Sequence, residues 1–397
     1  MRATVSSPRQ PRSQQSYAPV FPLMLAGLAA VGVSFGFARY GYGLFLPSIR
    51  ADFDLSITMV GLIGSATYVG YLAALILVGA LAARVGPRLL IATGTVAATI
   101  GTALVGLAPN VGVLAVGLIL AGTSAGWIWA PFSDAVDQML PIEQRQRVLA
   151  IIPAGTAFAV VVAGPLAILT HGSAWRWAWL VFAAGALFAT VYNLRVICAG
   201  APRKSSGTFD LYGRWLLRPA AGLLYLTALS YGIVGSVYWL LAVEAVSAGA
   251  GMGQHTAAVF WTLTGAAGTV AVFSGPMFSR LSLATVQPLL FLCLATAVAL
   301  LGIAPGMLLA VWTSALLYGP AFMAGSGLLA VWSYRVFPER PTMGFSATVF
   351  FLGIGTIVGP AAAGMIVEHH GMSTVFLLTA AVAVATLLAR PRSLAVA

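Results

Sequence analysis

Apolar residues in this chain do not alternate with polar ones at a strand or amphipathic-helix period. They run on in long blocks broken by short polar stretches. The blocks, numbered here as spans 1 to 12, fall at residues 20–47, 58–82, 88–107, 111–139, 147–170, 174–197, 219–246, 256–279, 284–304, 306–334, 342–368 and 372–390. A helix that is apolar all round is buried in lipid or in a large core, and about 20 such residues cross the ~30 Å hydrocarbon layer. Twelve blocks therefore predict twelve transmembrane helices. The first follows Arg2, Arg9 and Arg12, as a signal peptide would, but it continues to Pro47. A signal h-region stops after ~7–15 residues, so a retained first span is expected.

Composition narrows the class further. Of 397 residues, 60% are hydrophobic and 7% charged, with a mean hydropathy of +0.97. Soluble domains carry about 25% charged residues, so a soluble enzyme, a secreted disulfide scaffold, a disordered chain and a collagen-like fibre are all excluded. The apolar content fills about twelve spans of ~20 residues, and the 44 glycines suit close helix packing in lipid. Cys198 lies at the end of one block and Cys293 inside another, which reads as two unrelated reduced thiols.

The formal net charge of +11 resembles a nucleic-acid signature, but topology explains it. With the N-terminus inside, 17 of the 20 Lys and Arg residues fall in one set of alternate loops, Arg50 and Arg176 in the other, and Arg39 within a span. The positive-inside rule then puts both termini in the cytoplasm. Residues 1–19 are expected to be a disordered cytoplasmic arm and 391–397 a cytoplasmic tail. With the charge explained by topology, nucleic acid is not an expected partner, and with no Gly-x4-Gly-Lys-Ser/Thr loop neither is ATP.

The longest basic linker, 198–218, separates two groups of six spans, 20–197 and 219–390. The groups repeat each other. Gly79 and Arg84 match Gly275 and Arg280, and Phe35-Gly36 matches Tyr231-Gly232, all at an offset of 196. Gly122 and Pro141 match Gly319 and Pro338 at 197, and Gly164-Pro165 matches Gly359-Pro360 at 195. Five matches in order at a nearly constant offset mark a six-plus-six duplication.

Local motifs give the duplication a resemblance. Gly79-Ala-Leu-Ala-Ala83-Arg84-Val-Gly86-Pro87-Arg88 resembles the loop signature of the major facilitator superfamily, Gly-x-Leu-Ala-Asp-Arg-x-Gly-Arg-Arg. Two positions depart from it: Ala83 replaces the acid and Pro87 an arginine. Gly164-Pro165 in span 5, and Gly355 with Gly359-Pro360 in span 11, resemble a helix-packing motif associated with antiporters. The stretch from Phe35 through Arg39 to Pro47 is most similar to the bacterial YbfB/YjiJ-type permeases. The resemblance implies an all-α membrane protein of two six-helix bundles, with a cavity between them that spans 1, 4, 7 and 10 line. It implies transport by alternating access across the bacterial inner membrane; no His lies mid-span to serve a nucleophile as base, so no enzyme activity and no cofactor are expected.

Arg39 is the sharpest candidate. It precedes Pro47 by eight residues, about 12 Å along a straight helix, and an intramembrane Arg costs at least ~2.5–3.5 kcal/mol on insertion scales. One reading is a guanidinium that binds an anionic substrate through its planar fork; the other is a structural pair or a snorkelling side chain. At helical spacing, Phe35 and Tyr42 share its face. Its counterpart in the second half is Gly235, flanked by Tyr231 and Tyr238. Span 4 offers Ser124 and Trp127, span 2 Tyr68 and Tyr71, and span 8 Trp261. Each aromatic could equally be core packing or an interface anchor. Together they predict a cavity more aromatic than ionic.

Asp134 and Asp137, three apart near the end of span 4, carry two readings. They form a cytoplasmic gate with Gly79, Arg84, Gly86, Arg88 and Arg280, standing in for the acid missing at Ala83, or they are a proton site. Glu244, Glu368, His369, His370, His171 and His255 fall at outer ends with no metal-ligand spacing, so no metal is expected. The expected function is a secondary transporter of a small organic solute, with the single deep cation pointing to an anion and protons as a candidate coupling ion. Two alternatives stay open: proton-coupled efflux of hydrophobic drugs, and a transport-silent membrane sensor.

Overall fold

The computed structural model describes residues 20–82, 84–170, 172–199, 218–249 and 251–390. The expectations for 1–19, 391–397, His171 and nearly all of the 198–218 linker lie outside the described residues. Among the described residues all regular structure is helical. Ten spans cover Val20–Phe37, Ile57–Leu81, Pro87–Gly106, Val111–Met139, Ile142–Leu169, Gly172–Val196, Pro219–Ala248, His255–Phe273, Leu283–Ile303 and Leu308–Val336.

The span boundaries have local causes. Ser56 caps span 2 by accepting from the Met59 N–H at 3.1 Å, and Asn110 caps span 4 by accepting from Val113 at 3.0 Å. Pro87 and Pro219 open spans 3 and 7, where a missing N–H costs nothing.

The last helical run, Pro341–Thr386, has 46 residues, about 69 Å at ~1.5 Å per residue. That is twice what a bilayer needs, and Gly371 divides it with φ 82° and ψ 166°, a backbone open to glycine. Neighbouring contacts establish the reversal. At one end of the bundle Gln287 Nε2 donates to the Thr386 carbonyl at 2.8 Å; at the other Gly302 packs against Phe376 and Ser373. Span 11 (341–370) thus runs towards the second end and span 12 (372–386) runs back. Among the described residues the count is twelve spans.

Spans 1–6 and 7–12 form two bundles. One end of the molecule, the chain-end face, brings together Pro22, Arg88, Leu194, Arg218 and Glu339: Tyr192 donates to the Pro22 carbonyl, Arg88 to that of Leu194, and Arg218 to Glu339. At the opposite face Arg176 fastens the first bundle by donating to the Ala108 carbonyl at 2.6 Å and to Asp52 at 2.8 Å, beside a Trp175–Asp52 bond. Large apolar side chains such as Phe21, Leu89, Phe188 and Leu309 remain more than 60% exposed. A water-soluble surface would not carry so many, whereas a lipid-facing one requires them.

Small residues let the bundles meet. Gly61 of span 2 lies against the Pro360 carbonyl and Gly364 of span 11, while Gly164 of span 5 lies against Ala258 and Thr262 of span 8. Gly355 and Gly359 bring span 11 onto the backbone of span 7 at Leu229 and Ile233. The Gly-Pro motifs therefore sit at close helix approaches. Polar bonds between the bundles gather towards the opposite face: Arg50 to Glu244, and Thr58 to Glu368 and to the Gly364 carbonyl.

Candidate functional site

The first apolar block, expected as one helix over 20–47, is not continuous. Val20–Val31 is α-helical, Gly32–Phe37 is π-helical, residues 38–40 turn, and short helices follow at Gly41–Leu44 and Leu46–Phe53. Five-residue bonds define the wide turns: Ala38 N–H donates to Val33 and Tyr40 N–H to Phe35. The straight-helix distance from Arg39 to Pro47 accordingly does not hold. The cause lies in the neighbours. Gly32 faces the Gly155 carbonyl and Gly36 faces Ala159 of span 5, while Gly43 lies against the Trp239 carbonyl of span 7. The backbone at these positions is pressed between two other spans, and π segments of this kind recur at functional sites.

The interruption aims Arg39 at aromatic rings. Its guanidinium carbon lies 4.4 Å from the Tyr71 ring centre, 4.6 Å from Tyr68, 5.5 Å from Phe35 and 6.0 Å from Tyr40. Tyr68 and Tyr71 are the twelfth and fifteenth of the 25 residues of span 2, so the charge sits near mid-depth. Among the described residues no carboxylate pairs with Arg39, and its Nε is buried without a hydrogen-bond partner. Cation–π contacts contribute about 0.5–2 kcal/mol each. Four of them match the ~2.5–3.5 kcal/mol insertion cost, so the cation is held without an acid, bonded to the Tyr68 hydroxyl and with its Nε–H unspent.

Tyr40 carries the site across to the second bundle. Its ring stacks on Trp239 at 4.4 Å, and Trp239 meets Trp261 edge-on at 5.0 Å. Behind them Tyr231, Phe322, Tyr318 and Tyr238 form a column of rings within 11° of parallel. Gly235, the counterpart of Arg39, makes room for the Phe322 ring. A recess between the bundles is bordered by Arg39, Gly43, Gly64, Tyr68, Trp239 and Leu240.

The structure thus brings together Arg39, Phe35, Tyr68 and Tyr71, and links Tyr231, Tyr238 and Trp261 to them through Tyr40 and Trp239. Tyr42 also borders the recess but directs its hydroxyl to the Val60 carbonyl at 3.5 Å. Ser124 spends its hydroxyl on the Ala121 carbonyl, and Trp127 closes the tight segment Ser124–Trp127. Sequence reading missed Tyr40, Trp239, Tyr318 and Phe322. Adjacency to Arg39 and to Tyr238 was the available signal for the first two.

The expected gate residues lie at the chain-end face. Arg88 donates to the Leu194 carbonyl at 2.6 Å, and Asp137 pairs with Arg145 at 3.6 Å. Asp134 is half-buried, and Gly79, Arg84 and Arg280 are exposed. Gly86 caps span 3.

Comparison with known proteins agrees with this architecture. The family described as "Uncharacterised MFS-type transporter YbfB" matches residues 31–390. The "Transcription regulatory protein OpdE" of Pseudomonas aeruginosa is 28% identical over 302 residues, 72% of each chain. Among solved structures, the nucleoside transporter NupG superposes with a TM-score of 0.74 at 16% identity, covering 92% of this chain and 98% of its own. A bacterial homologue of the human lysosomal transporter Spinster, inward-facing and unoccupied, gives 0.68 at 17% identity and 95% of both chains. Those two likenesses show the fold, and the match over 31–390 shows the family: this chain belongs to the YbfB-type transporters of the major facilitator superfamily.

Proposed function

We propose that this secondary transporter moves a small organic anion across the bacterial inner membrane by alternating access, with Arg39 as the group that holds the charge. One observation carries the reading: a mid-depth guanidinium surrounded by rings, with no carboxylate paired to it among the described residues. Buried charge at such a place is retained for a partner, and here the ligand supplies it. The Lys and Arg bias supports a cytoplasmic chain-end face. Protons are the coupling ion we favour, carried on the substrate or on Asp134 and Asp137.

Thermal unfolding of the purified protein against matched organic anions, tetraphenylphosphonium and neutral sugars tests the reading. A ligand at 100 times its Kd stabilises by about 2.7 kcal/mol. Stabilisation by an anion, lost in Arg39→Ala, is expected. Stabilisation by the lipophilic cation that survives Arg39→Ala replaces this reading with drug efflux.

A second reading has its own support. The Pseudomonas relative is named as a transcription regulatory protein, which suits a sensor that binds a ligand without moving it. Uptake of the stabilising anion into proteoliposomes separates the two: binding with no flux in either direction supports the sensor.

A further inference from the structure

We infer that the ligand is a flat monocarboxylate, an aromatic acid in chemical class, whose carboxylate meets Arg39 and whose ring enters between Tyr40 and Trp239. The inference rests on the anion reading of the same site and extends it to the whole ligand.

The first argument is a count of unspent hydrogen-bonding groups. Arg39 Nε, Trp239 Nε1 and Trp261 Nε1 are all buried with no acceptor. They belong to one cluster, because Tyr40 next to Arg39 stacks on Trp239 and Trp239 touches Trp261. The Tyr68 hydroxyl is bonded to Arg39, and the hydroxyls behind the two tryptophans are already committed. Tyr231 donates to the Phe322 carbonyl, Tyr238 and Ser314 share a bond at 2.9 Å, Tyr318 donates to the Gly235 carbonyl at 3.4 Å, and Thr264 donates to that of Phe260. What remains unpaired on these nitrogens can only donate. A protonated amine brings donors alone and cannot satisfy them, and a sugar hydroxyl can accept but brings a donor of its own with each oxygen. A carboxylate brings acceptors alone.

The second argument is charge. Among the described residues Arg39 is the one cation in this cluster, so a dianion would leave one negative charge buried and unpaired, at a cost of several kcal/mol. A monoanion balances it.

The third argument is shape. The Tyr40–Trp239 stack, 4.4 Å apart and 19° from parallel, joins a residue of one bundle to a residue of the other. Parting the bundles separates the two rings and bares both faces. A flat ring entering there replaces one lost stacking contact by two, while a saturated or branched body does not. The stacking preference, about 0.5–1.5 kcal/mol, is up to about tenfold in affinity.

Binding of benzoate, cyclohexanecarboxylate, succinate and inorganic phosphate to the full-length protein, followed by tryptophan fluorescence and thermal shift, tests the inference. Benzoate is expected to bind about three- to tenfold tighter than cyclohexanecarboxylate and at least about tenfold tighter than succinate or phosphate. Its quenching is expected to shrink in Trp239→Leu, and its binding to be lost in Arg39→Ala. The ranking in the unaltered protein needs no variant to fold. Succinate or phosphate binding most tightly, with dependence on Arg39, overturns the monocarboxylate and leaves the anion reading standing. Benzoate and cyclohexanecarboxylate binding equally overturns the stacked ring. No binding by any of the four, or binding indifferent to Arg39→Ala, overturns the inference and the anion reading together.

Discussion

Arg50, in the short helix that follows span 1, donates to the carboxylate of Glu244 in span 7, so an ion pair joins the two bundles at the face opposite the chain ends. Its side chains are 31% and 13% exposed, and Glu244 Oε2 is buried without a partner. Removing one member leaves the other charge poorly solvated, a larger loss than deleting both. Glu244→Gln is therefore expected to loosen this face, and a cysteine at Ser247, which borders the adjoining recess, should react several-fold faster with an impermeant maleimide, by about one decade per 1.4 kcal/mol of lost closure. The swap Arg50→Glu with Glu244→Arg should restore slow labelling. Unchanged labelling in Glu244→Gln would remove the pair from the closure.

The glycine contacts of spans 2 and 11 predict a steric effect. A methyl at Gly364 would sit 2.8 Å from the Ile57 carbonyl oxygen, closer than carbon and oxygen pack. Gly364→Ala is expected to push the spans apart, and crosslinking between cysteines at Thr58 and Glu368, which hydrogen-bond across this seam, should fall. Full crosslinking would mean that the seam absorbs the methyl by a backbone shift.

The clasp at Arg176 predicts a stability effect separable from ligand binding. Arg176 holds Asp52 and the Ala108 carbonyl and lies 4.8 Å from the Trp175 ring. Arg176→Ala should cost about 1–3 kcal/mol, read as a lower thermal midpoint, with the ranking of ligands unaltered. A changed ranking would connect this corner to the site.

Acid pH predicts a small effect at the chain-end face. The Glu339 carboxyl is held below the usual carboxylate range, first by its own backbone N–H and then by Arg218. A depressed pKa contributes stability above the unfolded value and loses it as pH falls through the folded one. The thermal midpoint of Glu339→Gln should lie below that of the unaltered protein at pH 7, and the gap should close below about pH 4. A gap independent of pH would assign the effect to packing.

Sequence made the scaffold legible because its signals are long. Twelve apolar blocks survive errors of a few residues, and even the reversal at Gly371 falls in the gap left between 368 and 372. The surroundings of Arg39 were harder to read. Helical spacing pairs Arg39 with Phe35 and Tyr42, yet the rings within 6.0 Å are Phe35, Tyr40, Tyr68 and Tyr71. The spacing rule assumes α-helical turns, and Gly32–Phe37 does not have them. Trp239, Tyr318 and Phe322 escaped for another reason. Spans 7 and 10 are apolar on every side, so periodicity says nothing about which face meets the other bundle. At the chain-end face, charge pattern alone could not distinguish a carboxylate from the Leu194 carbonyl as the acceptor for Arg88.

The wide turn before Arg39 stores information in an unusual form. A π-helical turn accommodates one residue more than an α-helical turn over the same rise, and one residue is worth about 100° of rotation about the axis. Deleting Gly32 or Gly36 would let the segment relax to an ordinary helix, and the guanidinium would swing away from the rings of span 2 with every side chain still present. The direction of the charge is written in the length of the chain. A comparison that scores only which amino acids are shared would count such a deletant as intact, although its cation would point elsewhere.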